Sequence, residues 1–382
     1  MNIKNLGFDL DVLNTYVEQG YVNKVKHPVH DIYIYKYTFK TAMEKKWDVV
    51  TINTRSLVLD AHGNILSLPF EKFFNNRQEM GNDVKIYNEM GHSVFVPNYT
   101  KISVYNYNPE PYIISEKKDG SFIQVFMYKG EIIFTSSSVF DSEHAQIAEQ
   151  LFMEKLDENL RESLHPILQN NTVMFELIHP DYRIVVDYRD IYDEPIKDLY
   201  LIGIRNKNNG KYFTPQDMIT VANKMNWRHI HFYAGTTWQD IVQQQKTAEY
   251  ENIEGYVVYF PEQNFRVKVK LNSYFEAHKL VNNLTDKNIL INFCINGGEE
   301  LYDILPDEFY SYVKDKVSQF TTTHNHLTEM VNTFYEDNKH LDRKEYAILA
   351  AETDKVLMSL FMNKYLDRPL NVWEFMLKRM GN

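Results

Sequence analysis

Hydrophobic and polar residues alternate along most of this chain, and the pattern changes character near residue 280. From about residue 30 to 270, short β-branched and aromatic runs stand between turns: HDIYIYKYTF, WDVVTINTRSLVLDAHGNILSL, SFIQVFMYKGEIIFTSSS, TVMFELIHP, YRIVVDYRD, LYLIGIRNKNNGKYF and EGYVVYFPEQNFRVKVKL. Side chains on a strand point to its two faces in turn, so this period of two predicts strands. DAHGN, YKGE and NKNNGK place Gly or Asn between such runs and predict hairpins. A helix is expected over SEHAQIAEQLFMEKLDENLRESLHPIL, where Ile147, Leu151 and Leu156 recur at roughly helical spacing. Beyond residue 280 the alternation stops, and EFYSYVKDKVSQFTTTHNHLTEMVNTFYED and DRKEYAILAAETDKVLMSLFMNKYLD predict helices. The expectation is an α+β chain with a strand-rich part, 1–280, followed by an all-α part, 281–382.

Composition narrows the function classes. With 382 residues, 44% of them hydrophobic and 14% aromatic, the chain is not globally disordered. Lys and Arg number 41 against 52 Asp and Glu, a net charge of −11, which excludes polyanion binding by bulk charge. The acidity is shared between both parts, with 11 Lys/Arg and 16 Asp/Glu in residues 281–382. A single cysteine, Cys294 in INFCI, excludes a disulfide framework and a cysteine zinc site, and implies a reducing compartment. No run approaches the ~18 apolar residues of a membrane span, and MNIKNLGFDLDVL lacks the regions of a signal peptide. A cytoplasmic protein without a membrane partner is expected. His229 with His231 and His324 with His326 lack an accompanying acid or cysteine in ligand spacing, and read as surface or packing histidines.

The richest string for chemistry is SEKKDGSFIQVF, which holds Lys117-Lys118-Asp119-Gly120. On its own Lys-x-Asp-Gly is weak, because Asp-Gly also makes a plain hairpin turn. Its company is ordered: Arg55 and Lys72 upstream, then Glu176, Arg205, Glu254-Gly255, and Lys268 with Lys270. On a strand Lys268 and Lys270 share one face and Val267 and Val269 the other. That arrangement suits either a phosphate site or an ordinary half-exposed strand.

Taken together, Lys117-x-Asp119-Gly120, a later Phe-Glu, Glu254-Gly255 and Lys268-x-Lys270 resemble the covalent nucleotidyltransferases, which comprise nucleic-acid ligases and capping enzymes. EKFFN at Lys72, KxDGS at Lys117, MFELI with Arg183-Ile184-Val185, IEGYV at Glu254 and a tyrosine after the lysine pair, Tyr274, are most similar to the RNA ligase 1 family of T-even phages. DEFYSY (Asp307 to Tyr312) and DRKEYA (Asp342 to Ala347) extend the resemblance into the helical part. It implies a nucleotidyltransferase (ligase adenylation) domain of antiparallel sheets with flanking helices, followed by a helical domain that recognises transfer RNA. It further implies an ATP- and Mg²⁺-dependent RNA ligase, with Mn²⁺ as an alternative metal, that seals 5′-phosphate and 3′-hydroxyl ends. The substrate would be transfer RNA cut in the anticodon loop, in a phage-infected bacterial cytoplasm, with no obligate protein partner.

Residue by residue, the resemblance makes Lys117 the nucleophile that takes AMP. Glu116 would lie near the adenine, Glu176 at the ribose, and Tyr37, Arg55, Lys72, Lys268 and Lys270 at the phosphates. Glu254, helped by Asp119, would hold the metal, as hard carboxylate oxygens do for Mg²⁺. No GxxxxGK[ST] loop offers another ATP site. The chain departs from the family at Ser56, where a glycine is usual, at the lysine-free IIFTSSS, and in an acidic insertion at 187–198. A DNA ligase or capping guanylyltransferase would continue into a β-barrel, against the helical text after 280. A non-catalytic RNA-binding relative would be expected to lack one of Lys117, Glu176, Glu254, Lys268 or Lys270, and all are present. The five cations Arg55, Lys72, Lys117, Lys268 and Lys270 are expected to gather in a basic cleft on an otherwise acidic surface.

Overall fold

The computed structural model describes residues 1–76, 84–87, 93–96, 111–249, 253–262, 264–281, 283–298 and 309–380. Asp307 and Glu308 of the DEFYSY string lie outside the described residues. The chain divides into two compact units, Met1–His278 and Lys279–Asn382. Among the described residues, no helix is long and apolar enough to cross a membrane.

The first unit opens with an antiparallel meander of β1 (Val22–Lys26), β2 (Ile32–Tyr37), β3 (Arg55–Asp60) and β4 (Ile65–Ser67). Leu57 and Leu59 of β3 pack into a core with Tyr35, Leu13 and Ile3. Between β2 and β3, VVTIN is a helix (Val49–Asn53) rather than strand, because Asp48 accepts the Val50 and Thr51 N–H groups and so closes a capping box.

The remaining strands are β5 (Phe74–Asn75), the hairpin β6 (Val84–Tyr87) and β7 (Ser93–Val96), β8 (Ile113–Lys117), β9 (Ser121–Tyr128), β10 (Glu131–Thr135), β11 (Asn171–Ile178), β12 (Asp198–Asn206), β13 (Arg228–His229), β14 (Gly255–Phe260) and β15 (Phe265–Lys270). They form a five-stranded sheet ordered β10-β9-β11-β12-β13 and a four-stranded sheet ordered β5-β15-β14-β8. The pairing is antiparallel except for the two-residue strands β13 and β5, which run parallel to β12 and β15.

The predicted YKGE hairpin joins β9 to β10 through Lys129 and Gly130, both at positive φ (50° and 85°), the geometry of a tight two-residue turn. The helical string after it forms two helices, Glu143–Glu154 and Glu158–Asn170, since Asp157 caps the second by accepting the Leu160 N–H at 2.8 Å. Both cover the apolar face of the five-stranded sheet, where Phe152, Leu164, Val173, Phe175 and Leu201 are essentially inaccessible. Burying each such side chain is worth about 1.5–3 kcal/mol.

The second unit is helical. Tyr310–Asn338 is one long helix, and Arg343–Thr353, Met358–Tyr365 and Val372–Arg379 follow. The helical string beginning at Asp342 breaks at Asp354, whose carboxylate takes the Val356 and Leu357 N–H groups.

Candidate active site

Lys117 ends β8 in one sheet, and Ser121 begins β9 in the other. Lys118-Asp119-Gly120 is therefore a crossover between sheets, not the turn of a hairpin. Gly120 is required there: a Cβ would stand 2.4 Å from the Leu177 carbonyl oxygen. Between the two sheets lies a cavity of about 220 Å³, whose walls include Arg55, Glu116, Lys117, Glu176 and Lys268.

Strand register explains why Lys117 and Lys270 converge. On β14, Gly255 pairs with Lys117 on one side and with Lys270 on the other. Its φ of +155° and the 2.2 Å that a Cβ would leave to the Val269 oxygen admit only glycine. Glu254, one residue earlier, then lies within reach of both lysines. Lys117 Nζ donates to Glu254 Oε2 at 2.5 Å, and Lys270 Nζ lies 2.5 Å from Oε1. The Glu254 side chain is only 4% exposed, so a buried carboxylate bridges two ammonium groups.

Glu176 is the one incompletely buried position of β11. Its Oε1 accepts the Gly120 N–H at 3.2 Å. Burial, with the nearby charges of Glu254 and Asp119, pushes its carboxyl up to about 7, against the pull of Lys117 and Arg55. Arg55, the first residue of β3, spreads its guanidinium 4.7 Å from the Phe73 ring centre, and its Nη1 is buried without a hydrogen-bond partner among the described residues. An orphaned guanidinium nitrogen on a cavity wall fits an anionic ligand. Lys268 presents its ammonium 5.6 Å from Phe73, on the strand face opposite the buried Val267 and Val269.

Four anticipated residues are held by other partners. Lys72 Nζ donates to the Tyr37 hydroxyl at 2.9 Å inside a box of Tyr37, Trp47 and Phe74, and neither Lys72 nor Tyr37 lines the cavity. The aromatic faces stabilise this buried ammonium. Asp119 is not an open metal ligand. Its Oδ2 accepts the Val185 and Val186 N–H groups and its Oδ1 the Tyr274 hydroxyl, all at 2.8 Å. Burial and the charge of Glu254 raise its carboxyl above the ordinary range. Glu116 turns its carboxylate to Lys118 (2.6 Å) and to the His231 N–H (3.1 Å).

The expected basic cleft is instead a mixed one. Lys117 and Lys118 both lie against carboxylates; of the five cations Arg55, Lys117 and Lys268 line the cavity, Lys270 meets Lys117 through Glu254, and Lys72 stands apart. Among the described residues no three His, Cys, Asp or Glu side chains cluster as a metal site. Glu254 offers a hard carboxylate bonded to Lys117. That suits Mg²⁺, which keeps most of its shell as water and phosphate oxygens.

Other residues around the cavity were not anticipated. Arg266 is sandwiched between Tyr212 and Tyr259, with each ring centre 3.8 Å away. It continues the alternation of Lys268 and Lys270, which is the signal that could have found it. Glu71 holds the same wall, 2.5 Å from Arg205 Nη2 and from the Tyr212 hydroxyl. Arg205, buried and bonded also to Pro69 and Gly210 carbonyls, is thus part of the scaffold. Ser56 occupies φ +69°, the left-handed region that explains a glycine preference. It is tied there by its hydroxyl to the Ser137 carbonyl (2.5 Å) and by its own carbonyl to Gln124 (2.8 Å). The lysine-free Thr135–Ser138 segment receives a cation from elsewhere, since Lys36 Nζ donates to Ser137 Oγ at 3.1 Å.

Lys117 and a carboxylate bridging it to Lys270 lie beside an inter-sheet cavity, in keeping with the class that the motifs resemble, the ligase-type nucleotidyltransferases. The sequence profile of the RNA ligase family matches residues 53–274, more than half of the chain, and the chain belongs to that family. It is 22% identical over 367 residues to an RNA ligase of Rhodothermus phage RM378, covering 83% of this chain and 82% of that protein. RNA ligase 1 of bacteriophage TS2126 is 22% identical over 200 residues, 51% of this chain and 44% of that protein. Among solved structures, a Naegleria gruberi RNA ligase with ATP and Mn aligns over 44% of this chain and 51% of that one, at 18% identity and a TM-score of 0.35.

Proposed function

We propose that this RNA ligase is ATP-dependent and seals 5′-phosphate to 3′-hydroxyl ends through adenylylation of Lys117. The observation that carries the reading is the placement of Lys117 Nζ on the cavity wall, 2.5 Å from a carboxylate that also binds Lys270. In the first step Lys117 Nζ bonds to the α-phosphorus of ATP as the bond to the bridging oxygen breaks; pyrophosphate departs with that electron pair, and the amine proton passes to solvent. Splitting the sealing reaction in this way gives the RNA 5′-phosphate an AMP leaving group, which the 3′-hydroxyl then displaces.

The chain's own groups divide the work. Arg55, Lys268 and Lys270 draw the phosphates into line and neutralise them. Glu176 meets the ribose, and the wall of Phe70, Tyr212 and Phe232 takes the base. Lys117 must give up its hydrogen bond to Glu254 before it can reach phosphorus. A divalent cation on Glu254, Mg²⁺ or Mn²⁺, would supply charge neutralisation at the phosphates. The RNA to be mended is transfer RNA broken in the anticodon loop, recognised by the helical unit Lys279–Asn382.

The test is labelling with α-³²P-ATP and Mg²⁺ followed by addition of 5′-phosphorylated RNA. Wild type should form a covalent AMP adduct and then circles, and Lys117→Ala should form neither. An adduct on Lys117→Ala, or one formed from GTP in preference, would overturn the reading.

A further inference from the structure

The string from Arg183 to Tyr188, read in the sequence as a strand and the start of an acidic insertion, forms no strand; it straps the nucleophile's crossover in place. We propose that Tyr188 is a positioning residue for Lys117, an inference that rests on Lys117 being the adenylylated lysine. The Asp119 N–H donates to the Tyr188 hydroxyl at 2.8 Å. The Asp119 carboxylate takes the Val185 and Val186 N–H groups from the same strap. Lys118 lays its ammonium 4.4 Å from the Tyr188 ring centre. Both residues that follow Lys117 therefore touch one buried tyrosine, while the Lys117 carbonyl is held on its other side by the Glu254 N–H at 3.1 Å.

The excursion that follows closes on Tyr188. Its two ends meet where the Ile196 N–H donates to the Tyr188 carbonyl (2.9 Å) and where Arg189 bridges to Pro195. Within it, Arg189 Nη1 donates to the Asp193 carbonyl at 2.7 Å, and Asp190 Oδ1 accepts the Tyr192 and Glu194 N–H groups. A closed and internally bonded loop returns the chain to its starting point and leaves Tyr188, 8% exposed, rigid beneath the crossover. Removing its hydroxyl would leave a buried N–H unsatisfied, and the crossover would shift to find another acceptor. A shift of about 1 Å at the attacking atom is enough to cost about 100-fold in rate.

Tyr188→Phe keeps the ring and the packing and deletes only the acceptor. Two single-turnover rates are measured: adduct formation from ATP, in which Lys117 attacks, and sealing of pre-adenylylated RNA, in which it does not. The variant should form the adduct about 10- to 100-fold more slowly, with the KM for ATP within about threefold, and should seal pre-adenylylated RNA within about threefold of wild type. Equal slowing of both steps, or no slowing of the first, overturns the proposal. Should Tyr188→Phe not fold, Arg189→Ala loosens the loop from an exposed position and must show the same split; equal effects on both steps again overturn it. Wild type and Lys117→Ala run in parallel separate the two claims. Without a wild-type adduct the reading of Lys117 fails, whereas a wild-type adduct with an unaffected Tyr188→Phe sinks only the role of Tyr188.

Discussion

Glu176 should make this protein less stable above about pH 7, and Glu176→Gln should reveal by how much. The carboxyl has an ordinary value of 4.5 and is pushed up to about 7 in the folded chain, chiefly by burial. A raised folded value means that the stabilisation is fully present below pH 4.5 and is lost as pH rises to about 7, because only the unfolded chain ionises freely in that interval. At 1.36 kcal/mol per pH unit, the difference amounts to about 3 kcal/mol, and partial access to solvent trims it to about 2–3. Glutamine keeps an oxygen for the Gly120 N–H and carries no charge, so its stability should lack this slope. Urea unfolding followed by fluorescence of Trp47, Trp227 and Trp238, all in the first unit, gives the two curves between pH 4.5 and 8.5. They should coincide near pH 4.5 and separate by about 2–3 kcal/mol above pH 7, with the variant the more stable and the less active. Parallel curves would show that the site does not strain this carboxyl.

Gly255→Ala should lose about 3 kcal/mol or more, because its Cβ would meet the Val269 oxygen at 2.2 Å and its φ of +155° suits glycine alone; urea unfolding measures it. Glu71→Ala should cost about 3–5 kcal/mol by stranding the buried Arg205, read as a drop in Tm. Asp119→Asn should slow adduct formation yet leave the metal concentration for half-maximal adduct formation within about threefold of wild type, since the three groups bound to Asp119 can be shared by an amide's oxygen and nitrogen; a large shift in metal demand would restore Asp119 as a ligand.

What could be read from the sequence was whatever repeats locally. The period of two in RVKVK put Lys268 and Lys270 on one face, and it holds in β15. The same period extends to Arg266. The register that sets Gly255 between Lys117 and Lys270 was not legible, because it joins β8 to the β14–β15 pair more than a hundred residues later in the chain. Tyr188 was hidden for the same reason and for another: one tyrosine among 27 carries no local mark when its partner Asp119 lies 69 residues away. The breaks at Asp157 and Asp354 were in the text all along, as capping residues inside helical strings whose apolar spacing ran on across them.

Bulk charge and local charge turn out to be less separate than the −11 suggested. A purely basic cleft would bind any polyanion and would need no second component. Here Lys117 and Lys270 hold one carboxylate between them, and Lys118 holds another. Two carboxylates thus offset most of the charge of three lysines, and Arg55 brings a buried nitrogen without a hydrogen-bond partner to the same cavity wall. On the proposed function, a triphosphate entering such a site would either draw the lysines away from Glu254 or arrive with a divalent cation that Glu254 would take in their place. Either route would release Lys117 as the nucleotide binds. On that reading, the proposed nucleophile of this acidic chain would stay engaged by Glu254 until its substrate is present.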